Sequence, residues 1–161
     1  MDQDTSRFVE RMGFFFEEDG QPRIAGRLFG MLYLSDAPIS LDDLAAGLGV
    51  SKASVSINAR LLAQRGMLER VTRPGDRRDY YQVGADIFAR TMSQRVARIR
   101  TFRDILKEFE TSPAVADSAV ATRFAEYDEG YAAMLEAIDA ALTTWRARRP
   151  RPAAARVEAG R

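Results

Sequence analysis

Between Met67 and Val83 the apolar pattern changes period. On either side of this stretch, apolar side chains recur at threes and fours, the spacing of one helix face. Within it, Met67-Leu68-Glu69-Arg70-Val71-Thr72 and Asp79-Tyr80-Tyr81-Gln82-Val83 read as two short strands. The segment between them, Arg73-Pro74-Gly75-Asp76-Arg77-Arg78, is turn-forming and basic. A β-hairpin with a charged tip therefore interrupts an otherwise helical chain. The expected class is mainly α with one small β-hairpin.

The helical part divides at its punctuation. Thr5 or Ser6 is expected to cap a first helix carrying Phe8, Val9, Met12, Phe15 and Phe16. Gly20-Gln21-Pro22 ends that helix and starts a second, with Ile24, Leu28, Met31 and Leu32 on its apolar face. Ser40 opens a third, with Asp43 in the capping-box position and Ile39 and Leu44 as a hydrophobic staple. Ser51 caps a fourth, anchored by Val55, Leu61 and Leu62 and closed by Gly66. The third and fourth helices, about 41–48 and 52–65, meet at Gly49-Val50-Ser51 in the layout of a helix-turn-helix. A hairpin directly after the second of them makes the winged form. After Asp86 the chain is helical again, restarting at Ser112-Pro113. A near-heptad seam then runs Val120, Phe124, Tyr127, Tyr131, Met134, Ile138, Leu142 and Trp145. Beyond it the chain is rich in Arg, Pro and Ala, and 149–161 is expected to be a disordered tail.

Composition removes most chemistry. The 161 residues include no His and no Cys. Imidazole and thiol metal sites, thiol nucleophiles, disulfides and the Ser-His-Asp triad are all excluded. No phosphate-binding or dinucleotide fingerprint is present. An enzyme is not expected, and neither is a metal or a cofactor. The longest apolar stretch, 28–34, is far short of the roughly 20 residues of a membrane span. The start, Met1-Asp2-Gln3-Asp4, is acidic, unlike a signal peptide. A soluble cytoplasmic protein that does not engage membranes is the expectation.

The net charge of +1 conceals an uneven distribution. Residues 1–50 carry four basic and nine acidic side chains, 51–83 seven and three, and 84–161 thirteen and eleven. The middle segment is therefore +4, against −5 before it and +2 after it. Positive charge gathers on the fourth helix and the hairpin, the footprint of a nucleic-acid binder. The open face of that helix is read as Ser51, Lys52, Ser54, Ser56, Asn58 and Arg60. Small hydroxyl residues let a helix N-terminus approach phosphate. Lys52 and Arg60 reach guanine or phosphate, and Asn58 has the geometry for adenine. Arg73, Arg77 and Arg78 at the hairpin tip suit the negative potential of a minor groove.

The stretch 41–83 resembles the winged helix-turn-helix of MarR-type bacterial transcriptional regulators. The residues that carry the likeness are Leu44-Ala45-Ala46-Gly47-Leu48-Gly49-Val50-Ser51-Lys52-Ala53-Ser54-Val55-Ser56, then Leu61-Leu62 and Gly66-Met67-Leu68-Glu69-Arg70. Asp76-Arg77-Arg78 matches the D-x-R wing of that family. The resemblance implies that Asp76 braces the wing while Arg78 contacts DNA. The branch looks GbsR-like. That likeness lies in Phe8-Val9-Glu10, Gly13, the run Gly20-Gln21-Pro22-Arg23-Ile24-Ala25-Gly26-Arg27, and Val55-Ser56 with Arg60. After the wing the usual Leu-Thr is replaced by Val83-Gly84-Ala85-Asp86.

The resemblance further implies a homodimer, with 1–20 as an N-terminal dimerisation helix, 21–85 as the winged DNA-binding domain and 86–148 as C-terminal dimerisation helices. The expected partner is double-stranded DNA with a palindromic operator, read by two lobes roughly 34 Å apart. The expected function is a repressor modulated by a small-molecule effector. GbsR-like regulators are associated with choline and glycine betaine, whose ammonium group an aromatic cage would bind. Phe14, Phe15, Phe16, Tyr33, Tyr80, Tyr81 and Tyr131 could supply such a cage or simply pack in the core. No effector-binding residue is assigned. The competing reading is a winged-helix protein–protein interaction module without sequence-specific DNA binding.

Overall fold

The computed structural model describes residues 1–84, 86–115 and 119–148. The expected tail at 149–161 lies outside the described residues. In chain order the elements are α1 (Gln3–Glu18), α2 (Arg23–Tyr33), β1 (Ile39–Ser40), α3 (Leu41–Leu48), α4 (Lys52–Gln64), β2 (Leu68–Arg73), β3 (Asp76–Val83), α5 (Ile87–Phe109) and α6 (Ala119–Arg148). The class is mainly helical with a small antiparallel sheet. Contacts divide the chain into a first unit over 1–94 and a second over 95–161.

Local chemistry explains where the helices of the first unit begin. α1 is capped one turn earlier than expected, by Asp2 rather than Thr5 or Ser6. The Thr5 N–H donates to Asp2 Oδ1 at 2.9 Å and the Thr5 hydroxyl to Oδ2 at 2.6 Å. These bonds hold the Asp2 carboxyl down at about 2, against an ordinary 3.8. A carboxylate satisfies two donors at once and complements the positive helix end, so it outcompetes the hydroxyls behind it. Ser40 and Ser51 cap α3 and α4 as their positions predict. The Asp43 N–H donates to Ser40 Oγ at 3.1 Å, and the Ser54 N–H to Ser51 Oγ at 3.2 Å. α3 ends at Gly49, whose φ of 67° lies in the left-handed region that a side chain disfavours. This residue sets the turn between α3 and α4.

α1 and α2 cross closely. A Cβ on Gly26 would overlap the Met12 carbonyl, and one on Gly30 would lie 3.1 Å from the Met12 Cβ. The pair is also clamped by charge. Arg23 Nη2 lies 2.8 Å from Glu10 Oε2 and Arg27 Nε 2.7 Å from Glu10 Oε1. Arg27 Nη2 then donates to the Leu48 carbonyl at the end of α3. Behind these contacts lies one core, built from Val9 and Phe16 of α1, Leu28 and Leu32 of α2, Leu44 of α3, Val55 and Leu62 of α4, and Leu68 and Tyr81 of the sheet. Burying each of the large aliphatic side chains contributes about 2 kcal/mol. α1 thus shares its core with the helix-turn-helix.

The hairpin is longer and tighter than its sequence reading. β2 and β3 pair from Leu68↔Val83 to Arg73↔Asp76, so the basic tip narrows to Pro74-Gly75. Proline followed by glycine at φ 78° is the type II turn arrangement. A register irregularity between Val71 and Arg73 bends the strand near the tip. A third strand was not expected: β1 pairs with β3 through Ile39↔Tyr81 and Ser40↔Tyr80. The sheet order is β1-β3-β2, which fastens the wing to the start of α3.

In the second unit, the last part of α5 and all of α6 form an interacting helix pair. Ser112-Pro113, where a helix was expected to restart, lies in a bend and turn, and α6 is described from Ala119 on. Arg103 grips Asp128 through Nε at 2.6 Å and Nη2 at 2.9 Å. Phe102 packs edge-on against Tyr127 and Tyr131. Leu106, Val115 and Leu142 are buried, whereas Ile105, Phe109, Tyr127 and Met134 stay exposed. Among the described residues, no helix is long and apolar enough to cross a membrane.

Candidate nucleic-acid interface

α4 and the hairpin belong to the same compact unit, and both are positioned by the core. Val55, Ala59 and Leu62 face inward on α4. Asn58 lies with them. It is 7% exposed, and its Nδ2 donates to the Ser54 carbonyl at 2.8 Å. The expectation that Asn58 reads adenine is therefore corrected. Positions 55, 58, 59 and 62 form the i, i+3, i+4, i+7 stripe that faces the core.

The remaining predicted residues of α4 lie outside that stripe. Ser51 and Lys52 are exposed, Ser54 and Ser56 are half-buried, and Arg60 is exposed. Lys52 Nζ sits 2.8 Å from Asp42 Oδ1, an ion pair that joins α4 to α3. Arg60 Nε donates to the Ser56 carbonyl at 3.2 Å, which folds its stem along the helix. The open face also holds residues the sequence reading passed over: Ala53, Ile57 and Gln64. Ile57 is a large apolar side chain left 61% exposed. The spacing 53-57-60-64 was the available signal, since it is the complement of the buried stripe.

The wing is organised around Asp76. Its carboxylate accepts the Arg78 backbone N–H, the Arg78 Nε and Nη2, and the Tyr80 hydroxyl at 2.8 Å. The Arg78 guanidinium, its backbone N–H and then Tyr80 hold the Asp76 carboxyl far below the ordinary aspartate range. The same bond pushes Arg78 up, and the Asp76 carboxylate raises the Tyr80 hydroxyl. Arg73 lies over the Tyr80 ring, 4.1 Å from its centroid, and its Nη2 donates to the Pro38 carbonyl at 3.2 Å. Tyr80 is thus the platform on which the wing arginines are arranged, a cation–π stack that sequence alone did not reveal. Arg77 is exposed and forms no ion pair among the described residues.

Carboxylates neutralise several of the cations counted in 51–83. Asp79 pairs with Arg70, which raises that guanidinium, and Asp42 pairs with Lys52. Among the described residues of this segment, Arg60, Arg65, Arg73 and Arg77 have no ion-pair partner. The arrangement can place a helix N-terminus and a flanking arginine-bearing tip against a polyanion. Most of the aromatics considered for a cation cage are already committed, whereas Phe15, edge-on to Phe16, stays exposed. Phe14 and Tyr80 each carry an arginine of the chain itself, and Phe16 and Tyr81 are buried. Tyr33 stacks on Phe8 and leans on Phe29, and Tyr131 packs with Phe102.

Comparison with known proteins places this geometry in context. The model of the MarR family matches residues 21–79. Over 103 residues the chain is 38% identical to the HTH-type transcriptional regulator MmpR5 of Mycobacterium tuberculosis, covering 63% of this chain and 62% of that one. It is 29% identical over 80 residues to the HTH-type transcriptional repressor OpcR of Bacillus subtilis, covering 50% of this chain and 43% of that one. The chain thus spans about two-fifths to three-fifths of the length of these curated relatives. A solved structure described as a transcriptional regulator superimposes with a TM-score of 0.83 and 32% identity, covering 90% of this chain and 99% of that one.

Proposed function

We propose that the chain is a dimeric, sequence-specific DNA-binding regulator of the MarR family, a reading supported by the family model matched over residues 21–79 and by the likeness to a solved transcriptional regulator. The observation that carries this reading is the joining of two features in one compact unit. One is a helix whose serine-capped N-terminus is open, and the other is a wing whose arginines are held by Asp76 and Tyr80. α4 would lie in the major groove with Ser51, Lys52, Ser54, Ser56 and Arg60 toward the DNA. Arg73, Arg77 and Arg78 would follow the flanking minor groove.

The finer parts of the proposal have their own support. Repression, and a place in the GbsR-like branch, are supported by the N-terminal residues noted above and by similarity to OpcR, a named repressor. Dimerisation is supported by the exposed apolar side chains of the second unit, among them Tyr127 and Met134. Two such lobes would read a palindromic operator. Control by a small molecule is supported by a cavity of about 530 Å³ in the second unit, lined in part by Leu106, Lys107, Val115, Phe124 and Asp128. Its size is in the range of ligand sites.

Mobility shift against a random-sequence duplex pool tests the reading. Retained duplexes should converge on a palindrome. If each lobe neutralises about four phosphates, log K should fall with log salt at a slope of about −7. A combined Arg60/Arg77/Arg78→Ala variant should lose this affinity. Unchanged affinity and slope in that variant would remove the assigned surface. Absence of any retardation at low salt would favour the protein-interaction reading.

A further inference from the structure

We propose that Ile57 determines part of the sequence preference by packing against the 5-methyl group of a thymine in the major groove. The inference rests on the DNA-binding reading above. α4 starts at Lys52, so Ile57 is its sixth residue and sits just beyond the first turn, in the half of such a helix that meets base edges. It is 61% exposed, whereas the Val55, Ala59 and Leu62 side chains of the same helix are fully buried. One turn before it lies exposed Ala53, and one turn after it exposed Arg60. An apolar strip of two residues is therefore framed by cations.

The chemistry of the groove narrows the target. Of the groups that base pairs present in the major groove, the thymine methyl is the apolar one, and the rest are hydrogen-bond donors or acceptors. Isoleucine neither donates nor accepts, so against any other base edge it strips water from a polar atom and offers nothing in return. Against the methyl it buries apolar area on both sides. The neighbouring Arg60 has its Nε bound back to the Ser56 carbonyl.

The test uses the full chain and the duplex recovered by selection from random DNA. Each thymine of that duplex is replaced in turn by deoxyuridine, which lacks only the methyl group. Wild type should lose affinity by about tenfold at one thymine per half-site. Ile57→Ala should bind the thymine duplex as weakly as wild type binds the uracil one, and should not distinguish the two. Ile57→Val, which keeps apolar bulk, should retain the distinction. Equal binding of both duplexes by wild type, or discrimination that survives in Ile57→Ala, would overturn the proposal while leaving DNA binding intact. Failure of wild type to retain any duplex at low salt would instead overturn the DNA-binding reading. Ile57 is at the surface, so thermal melting of both variants should match wild type.

Discussion

Asp76 accepts three donors from Arg78: the backbone N–H at 2.9 Å, Nε at 3.0 Å and Nη2 at 2.7 Å. The two residues are separated by one position on β3. The contact is therefore a local clasp at the tip of the wing, and it orients the guanidinium before any ligand arrives. Preorganisation of this kind lowers the entropy lost when a long side chain is immobilised at an interface.

The clasp should resist acid. Arg78 and Tyr80 depress the Asp76 carboxyl below its ordinary 3.8. A depressed carboxyl contributes stability that is present above the ordinary value and is lost as pH falls through the lower folded one. Between pH 7 and about 4 the wing should therefore keep its charge arrangement. Carbon-detected NMR titration should find Asp76 still ionised at pH 3.8, where an ordinary aspartate is half protonated. Half-protonation of Asp76 at or above that pH would contradict the clasp.

Removing the brace and removing the cation should have different signatures. Asp76→Ala keeps every positive charge but frees Arg78, so specific affinity should fall about tenfold while the salt slope stays unchanged. Arg77→Ala deletes an unpaired cation, so the slope should flatten by about 1 for each lobe, roughly equally across sequences. Fluorescence anisotropy at four salt concentrations separates the two outcomes. Identical slopes for wild type and Arg77→Ala would place Arg77 away from phosphate.

The α1–α2 crossing sets a steric limit. Gly26→Ala drives a methyl group into the Met12 backbone and should cost about 3 kcal/mol. Gly47→Ala meets only the end of the Met31 side chain, 2.6 Å away, which can rotate aside, so its cost should stay below about 1 kcal/mol. Urea midpoints of the two variants should differ accordingly. Comparable midpoints would mean that the helices can separate without penalty.

The second unit carries the dimer prediction. Tyr127 is 56% exposed and Met134 48% exposed, one turn-pair apart on α6. A Tyr127→Glu/Met134→Glu variant should sediment as a monomer with unchanged helical circular dichroism. Loss of bivalency should weaken palindrome binding about a hundredfold. A dimer that survives both charges would move the interface elsewhere.

Much of the first unit is legible because its signals are short-ranged. Ser40 and Ser51 announce caps, Gly49 and Gly66 announce helix ends, and the alternation around Tyr80-Tyr81 announces a strand. Asn58 combines a polar identity with a place in the 55-58-59-62 stripe, and the place prevails. A buried amide can satisfy itself on the carbonyl four residues back, and Asn58 does so on Ser54. Ile57 is the opposite case: an apolar side chain on a helix is expected to face inward, and this one faces out. β1 could not be seen at all. Ile39-Ser40 has strand geometry because Tyr80-Tyr81 is there to pair with it.

By itself, then, the sequence determined the succession of helices and hairpin, the turn at Gly49 and the concentration of positive charge over 51–83. These depend on residues three or four apart and on backbone preferences that act wherever the segment lies. Tertiary structure decided which of those charges remain available. Lys52 meets Asp42, Arg70 meets Asp79, and Arg73 reaches the Pro38 carbonyl and the Tyr80 ring, whereas Arg77 stays open. The physical reason is range. A cap is settled within one helical turn, but whether a cation is neutralised or offered to a partner depends on carboxylates, carbonyls and rings that only folding brings within a few ångströms.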